Sequence, residues 1–445
     1  MDALETYHQV DVQWGNHDIA WMGAAALSEA CIAQVIVTSV KYGNLETLEV
    51  GYGISLRPLA TLAMSCYADD PCAEFRPKDN GEDVHEDEME LARMHKAAAI
   101  LQFKLEGQLL ARHPEYNMEG RRLLHRIDFE AGTVNVEGET YPLRSCHFPT
   151  IDPADPYALT PLEREVMDRL VLEFAHSEKL QRHVQFLYST GGMYLRCNGN
   201  LLYHGCIPMR EDGSFAPIPV SSGETLCGRA GIDAADLMAR QGYFANLGTK
   251  SRTDGQDFLW YLGCGPYSPL FGKSKMATFE RYFIKDKKPH VEVKNAYYSF
   301  QDDEATALRI LHEFDLTDEG FIINGHVPVK LGQGESPIKA GGKLLVIDGG
   351  LSRAYQPVTG IAGYTLIFSS HELSLVAHQP FESRASAISA EQDIHSVHSI
   401  VKNMPHRLLI DDTDEGETLR GRIADLMLLI SAYRSGVIKE VRNEN

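Results

Sequence analysis

The chain has 445 residues, 44% of them hydrophobic, and a formal net charge of −20. Such a length buries one large core with insertions or two to three smaller ones, and ordinary contents of Gly (37) and Pro (20) exclude a fibrous or disordered chain. The acidic balance repels nucleic acid and anionic membrane surfaces, so neither is an expected partner.

Met1-Asp2-Ala3-Leu4-Glu5 holds neither a basic nor an apolar leader region, so no signal peptide is read there. No stretch reaches about 18 apolar residues without a charge. The longest candidate, residues 23–40, contains Glu29 and Gln34 and reads as a buried helix. Eight scattered cysteines form no Cys-x-x-Cys, which fits reduced thiols in a cytoplasmic protein better than disulfides or a zinc site.

Val10-Asp11-Val12-Gln13-Trp14 alternates as a strand and runs into Gly15-Asn16-His17-Asp18, after which residues 19–42 read as one helix. Residues 82–112 form a long helix stopped by Pro114. His85 and His95 lie on it and are expected to be solvated. Residues 123–143 read as a hairpin. Thr160-Pro161-Leu162-Glu163 is a capping box with Pro at the first helical position, starting a helix expected to run to about 188. Asn198-Gly199 closes a second hairpin whose return strand ends at His204-Gly205. Residues 231–243 and 304–314 read as helices, and 247–283 as a loop rich in Gly, Lys and aromatics. Two apolar strands follow, one ending at Asn324-Gly325-His326 and the other at Asp348-Gly349-Gly350. A third hairpin covers 362–378, and 419–435 is the closing amphipathic helix.

Three times an apolar strand ends in glycine beside ligand-type side chains: Gly15-Asn16-His17-Asp18, His204-Gly205 and Gly325-His326. Glycine lets backbone and side chains converge on a ligand, and strand C-terminal ends are where α/β folds bind ligands. Amide oxygen with imidazole suits a borderline ion such as Mn²⁺, Fe²⁺ or Zn²⁺ better than Ca²⁺.

These three clusters resemble the last three sequence blocks of the calcineurin-like metallophosphoesterases. Five longer stretches are similar to class III fructose-1,6-bisphosphatase. They are Val12-Gln13-Trp14-Gly15-Asn16-His17-Asp18-Ile19, Ser268-Pro269-Leu270-Phe271-Gly272-Lys273, Asn324-Gly325-His326-Val327-Pro328-Val329-Lys330, Lys343-Leu344-Leu345-Val346-Ile347-Asp348-Gly349-Gly350 and Thr359-Gly360-Ile361-Ala362-Gly363-Tyr364-Thr365-Leu366. The resemblance implies an α/β fold, a calcineurin-like two-sheet sandwich flanked by helices. Its core would comprise residues 1–42 and 186–400, with a helical and hairpin insertion at 43–185 and a C-terminal helical segment at 401–445. It implies Asn16, His204 and His326 as ligands of one of two Mn²⁺ ions, His17 as the general acid, and Asp18 orienting that histidine or its loop. It implies a cytoplasmic enzyme of gluconeogenesis acting on a sugar bisphosphate, and is compatible with a homo-oligomer. Lys273, Lys275, Arg281, Lys330 and Arg353 lie beside the family-like blocks as candidate phosphate contacts.

The superfamily's opening blocks, Asp-x-His and Gly-Asp-x-x-Asp-Arg-Gly, have no counterpart before Asn16, and the one later Asp-x-His, Asp393-Ile394-His395, follows no strand. The N-terminal strands and the first ion's ligands are therefore expected to be missing, and the chain alone to be impaired. A phosphoprotein phosphatase and a non-catalytic regulatory chain stand as the alternative readings.

Overall fold

The computed structural model describes residues 1–78, 87–220, 225–348, 359–379, 383–389 and 396–439. At its centre is a five-stranded mixed sheet in the order Ile338–Lys339, Leu344–Val346, Ile322–Asn324, Asn200–Tyr203, Tyr194–Cys197. The middle three strands are parallel, with Ile322 opposite both Leu344 and Leu201, so the residues that follow them share one edge of the sheet. Val12–Gln13 pairs in parallel with Gly191–Gly192. Trp14 seals that pair: it is fully buried, and its indole donates to the Leu187 carbonyl at 2.9 Å. A side chain at Gly191 would meet that indole at 2.6 Å.

One face of the central sheet packs against the antiparallel sheet Gly363–Phe368, Glu372–His378, Ser396–Asn403. The contact is a small apolar cluster of Phe321, Ile323, Leu345 and Leu373. The main core lies elsewhere, in a helical mass. Glu88–Arg112 packs against Glu29–Lys41 and Arg57–Tyr67, while Lys250–Cys264 packs against Asn16–Ala25 and Gly228–Phe244. Gly228–Phe244 and Lys250–Cys264 cross where Gly242 meets Gly255. A Cβ at Gly255 would sit 2.3 Å from the Gly242 nitrogen, so only glycine permits the approach. The helices of 43–185 thus share one continuous core with residues 16–42 and 250–264.

Several local expectations change. The helix read over 19–42 is two helices, Asn16–Ala25 and Glu29–Lys41, broken where Leu27 takes φ 71°. The helix read over 160–188 divides at Ser177 into Pro161–His176 and Glu178–Thr190. Residues 123–143 form a short 3₁₀ turn and a three-stranded meander rather than a simple hairpin. The stretch read as a loop over 247–283 contains the helix Lys250–Cys264, capped by the Thr249 hydroxyl accepting from the Arg252 nitrogen. His95 is not solvated. It is 1% exposed, and its ring bridges the Phe75 carbonyl and the Tyr282 hydroxyl, each at 2.8 Å. Burial holds its pKa down to about 4. His85, Arg353 and Asp393-Ile394-His395 lie outside the described residues.

Candidate metal centre

Each of the three strand-end blocks delivers one side chain to the same point. His204 follows Asn200–Tyr203 and His326 follows Ile322–Asn324, adjacent parallel strands. Asn16 is the first residue of the helix after Val12–Gln13. The Nε2 of His204 lies 3.3 Å from the Oδ1 of Asn16, 188 residues away in sequence, and 3.1 Å from the Nδ1 of His326. Two donors each about 2.0–2.2 Å from one ion, at angles between a right angle and the tetrahedral value, stand about 2.8–3.6 Å apart. Both separations fall in that interval, so this donor set fits a single divalent ion.

The tautomers agree. His326 donates through Nε2–H to the Phe271 carbonyl at 2.9 Å, which leaves Nδ1 as the lone-pair side facing His204. A carbonyl that fixes the outer nitrogen is the usual support of a ligating imidazole. Burial, with His326 and His17 nearby, holds the His204 imidazole down at about 3. Burial also lowers the pKa of His326. The Phe271 carbonyl and Asp348 oppose that shift, and Lys273 and His17 add to it. Both rings are therefore neutral, with lone pairs available, at physiological pH.

The three glycines differ in what they do. A Cβ at Gly15 would meet the His204 ring at 2.9 Å, and one at Gly205 would meet the Pro269 carbonyl oxygen at 2.4 Å. These two are required for the approach. At Gly325 the nearest atom is the Asp348 Cβ at 3.5 Å, an ordinary contact, so space does not require glycine there. The strained residue is His326 itself, at φ 69°.

His17 is exposed on the first turn of Asn16–Ala25, outside the triad, and close enough for its charge to act on both His204 and His326. Asp18 does not bond to His17. Its Oδ2 accepts from the Gly15 nitrogen at 2.8 Å and closes the loop that presents Asn16. Burial raises its pKa, partly offset by that bond and by His17.

Of the basic candidates, Lys273 pairs with Glu292 at 2.9 Å, as does Arg281, and Lys275 pairs with Glu137 at 2.7 Å. Lys330 is exposed without an ion-pair partner among the described residues. The sequence reading passed over Asp348 as a site residue. Its strand, Leu344–Val346, is the next parallel neighbour of the His326 strand, which brings its Cβ against Gly325. The visible signal was an apolar strand ending in Asp-Gly-Gly. The Phe271 carbonyl left no signal, because a main-chain acceptor has no residue type. A separate cluster of Asp2, Glu5 and His183 lies at the surface, where Lys179 and Arg182 already pair with its carboxylates.

Neutral N and O donors at strand ends, with an exposed imidazole beside them, can hold a divalent ion next to a proton-transfer group. The family model described as Firmicute fructose-1,6-bisphosphatase matches residues 1–435, and the chain belongs to that family. It is 53% identical over 446 residues to a class 3 fructose-1,6-bisphosphatase of Alkaliphilus metalliredigens, covering 99% of this chain and 67% of that one. Class 3 fructose-1,6-bisphosphatases of Clostridium botulinum (strain Kyoto / Type A2) and Bacteroides fragilis (strain YCH46) match at 51% and 52% identity. They cover 100% and 99% of this chain and 67% of each relative. The chain thus spans about two thirds of the length of each of these relatives. No solved structure matches. Among the described residues no helix is long and apolar enough to cross a membrane.

Proposed function

We infer that this chain hydrolyses fructose 1,6-bisphosphate to fructose 6-phosphate and phosphate, as a cytoplasmic enzyme of gluconeogenesis. The observation that carries the reading is the 51–53% identity to class 3 fructose-1,6-bisphosphatases along virtually the whole chain. We extend it to the fold: the central sheet packed on a second sheet through Phe321, Ile323, Leu345 and Leu373 supports the calcineurin-like metallophosphoesterase arrangement.

Asn16, His204 and His326 would hold one ion of the site, and Mn²⁺ suits the amide and imidazole donors. Such an ion, when bound, neutralises charge on the phosphoryl group and polarises its oxygens. The remaining work falls to the chain's own residues. His17 gives a proton from its imidazole to the departing sugar oxygen, a transfer that imidazole side chains commonly perform. Asp18 holds the Gly15–Asn16 loop through the Gly15 nitrogen, and so fixes where the chain presents Asn16 and His17. The first turn of Asn16–Ala25 points its backbone N–H groups toward an incoming phosphate. A second phosphate needs cations away from the ion, and Lys273 and Lys330 stand nearest in sequence to Phe271 and His326. Lys275 and Arg281 are held by Glu137 and Glu292, and Arg353 follows Asp348 in the chain.

The reading is tested by phosphate release from fructose 1,6-bisphosphate and from a phosphoserine peptide, with Mn²⁺ in excess because three neutral donors bind weakly. A Mn²⁺-dependent preference for the sugar bisphosphate is expected. A faster rate on the peptide transfers the site to a phosphoprotein phosphatase, and release from neither leaves the chain non-catalytic.

A further inference from the structure

Beside the triad the fold gathers positive charge that its own carboxylates do not balance. Lys273 and Lys294 stand directly opposite each other in a short antiparallel ladder. The ladder is held by the Asn295 nitrogen on the Gly272 carbonyl at 2.9 Å and the Ser274 nitrogen on the Val293 carbonyl at 2.7 Å. Bridged residues put their side chains on the same face about 4.5–5.5 Å apart, and like charges so placed repel. Lys273 is relieved by Glu292. Lys294 has no carboxylate partner among the described residues. Its ammonium instead lies 5.4 Å from the centre of the Tyr298 ring.

Two further lysines act on it. Lys330 and Lys339 join Lys273 as the cations that, after burial, depress its pKa, against Glu335 alone. Glu335 is already engaged: one oxygen accepts from the Lys339 ammonium at 3.0 Å and the other from the Lys330 backbone nitrogen at 3.1 Å. Four lysines and Arg281 thus face Glu292 and Glu335, an excess of positive charge in a chain of net charge −20. A second observation also points to a ligand. The Tyr298 hydroxyl is buried without a hydrogen-bond partner, as is that of Tyr364 beside Glu335. Both are donors with nothing to donate to. The Tyr298 hydroxyl lies 2.6 Å from where a Cβ on Gly272 would be, between the Phe271 carbonyl that holds His326 and Lys273. Lys294 also lines a cleft of about 510 Å³ with Tyr267 and Asn295, which Arg210, Glu211 and Asp212 line as well, a volume ordinary for a small-molecule site.

We propose that Lys294, flanked by Lys273 and Lys330 and backed by the Tyr298 ring, anchors the phosphate of the sugar bisphosphate that is not cleaved. The assignment rests on the sugar-bisphosphatase reading above and adds to it the residue that holds the far end of the substrate. An exposed ammonium with no carboxylate partner among the described residues is better prepared for a dianion than Lys275 or Arg281, whose charges are spent on carboxylates. Lysine serves here as a point charge, needing no fixed fork geometry.

The experiment is calorimetric titration of the full 445-residue chain with fructose 6-phosphate, with fructose 1,6-bisphosphate and with Mn²⁺ alone. In Lys294→Met, affinity for fructose 6-phosphate is expected to fall at least tenfold while the affinity for Mn²⁺ changes less than twofold. Lys250→Met, at an exposed lysine of the helix Lys250–Cys264, leaves both unchanged. Unaltered fructose 6-phosphate binding by Lys294→Met, in a protein that still binds the bisphosphate, overturns the anchor and leaves the activity standing. A parent chain that binds neither sugar phosphate overturns both. Should Lys294→Met fail to fold, Lys294→Arg decides: retained affinity supports the anchor, and a tenfold loss in the folded variant refutes it.

Discussion

The helices Glu88–Arg112 and Asp414–Ser435 are alike in length, at 25 and 22 residues, and alike in how they begin. Asp87 accepts from the Met89 nitrogen in one, and Thr413 accepts from the Gly416 nitrogen in the other. Their surroundings are opposite. In the first, nearly every residue from Leu91 to Leu110 is buried, including His95, Lys96, Gln102, Lys104 and Glu106. In the second only Gly416 is buried, while Leu426, Met427 and Leu428 are 57%, 66% and 69% exposed. Capping and propensity therefore specify that a helix forms, and other chain segments decide whether it is core. Gln102 bonds within the helix to Glu106 at 2.7 Å, and the other polar residues are buried because they find partners beyond it. Lys96 meets Asp70 at 2.5 Å, Lys104 meets Glu163 at 2.7 Å, and Glu106 meets Arg121 at 2.9 Å.

The contrast is broken most directly at Lys104. Its ammonium is fully buried between Glu163 and the Thr150 carbonyl. Lys104→Met removes the partner of a carboxylate that is itself 2% exposed, and a buried charge so orphaned costs about 3–5 kcal/mol. Equilibrium urea unfolding should register that loss. A change below about 1 kcal/mol would mean that water reaches Glu163, and the first helix would not be core in the sense argued here.

A matched pair sharpens the comparison. Leu101→Ala, at a side chain 1% exposed, should cost about 2–5 kcal/mol, because a cavity adds to the lost transfer energy. Leu428→Ala on the other helix should stay within about 0.5 kcal/mol. Comparable losses at both sites in the same denaturant series would show that Leu428 is covered in solution.

The acid limb of stability separates the regions again. Burial pushes the Asp70 carboxyl up, but Lys96, the Cys72 nitrogen and His147 outweigh it and hold its pKa at about 2. A carboxyl lower in the folded than the unfolded state stabilises fully above the unfolded value, about 3.9, and loses that contribution as pH falls through the folded one. The melting temperature of the parent chain should therefore fall between about pH 4 and pH 2, and less steeply in Asp70→Asn. Parallel curves for the two proteins would dismiss Asp70 as a contributor.

The site was more legible than the core around it, for physical reasons. Asn16, His204 and His326 announce themselves because glycine next to a polar side chain at a strand end is a local pattern, readable without knowing what lies opposite. Lys294 and the Phe271 carbonyl are site features only through contacts made across the fold. The helix Lys250–Cys264 lies in a stretch that reads as loop from its glycines, lysines and aromatics. In the fold Gly255 is where the neighbouring helix crosses, and tertiary packing overrides propensity. His95 was misread for the matching reason: its partners, the Phe75 carbonyl and the Tyr282 hydroxyl, lie 20 and 187 residues away.

The smallest effect is expected from the largest excision. Asp414–Ser435 meets the body chiefly through two hydrogen bonds: Asn198 donates its backbone nitrogen to the Asp414 carboxylate at 2.7 Å, and the Asp414 nitrogen donates to the Asn198 amide oxygen at 3.1 Å. Exposed bonds of this kind fall at the low end of the usual range, about 0.5 kcal/mol each, and the helix adds almost no buried area. Removing residues 414–445 should therefore leave the unfolding free energy within about 1 kcal/mol of the parent value and sharpen its solution behaviour, since Ile423, Leu426, Met427, Leu428 and Ile430 leave with it. The same deletion reads out the alternative. Eight apolar side chains, about half exposed, present on the order of 700 Å², close to the roughly 800 Å² per partner of a standard interface. A loss of several kcal/mol that grows with protein concentration, together with a fall in sedimentation coefficient, would show the helix to be packed against a second copy. The contrast with Glu88–Arg112 would then be one between a core closed within the chain and a core closed between chains.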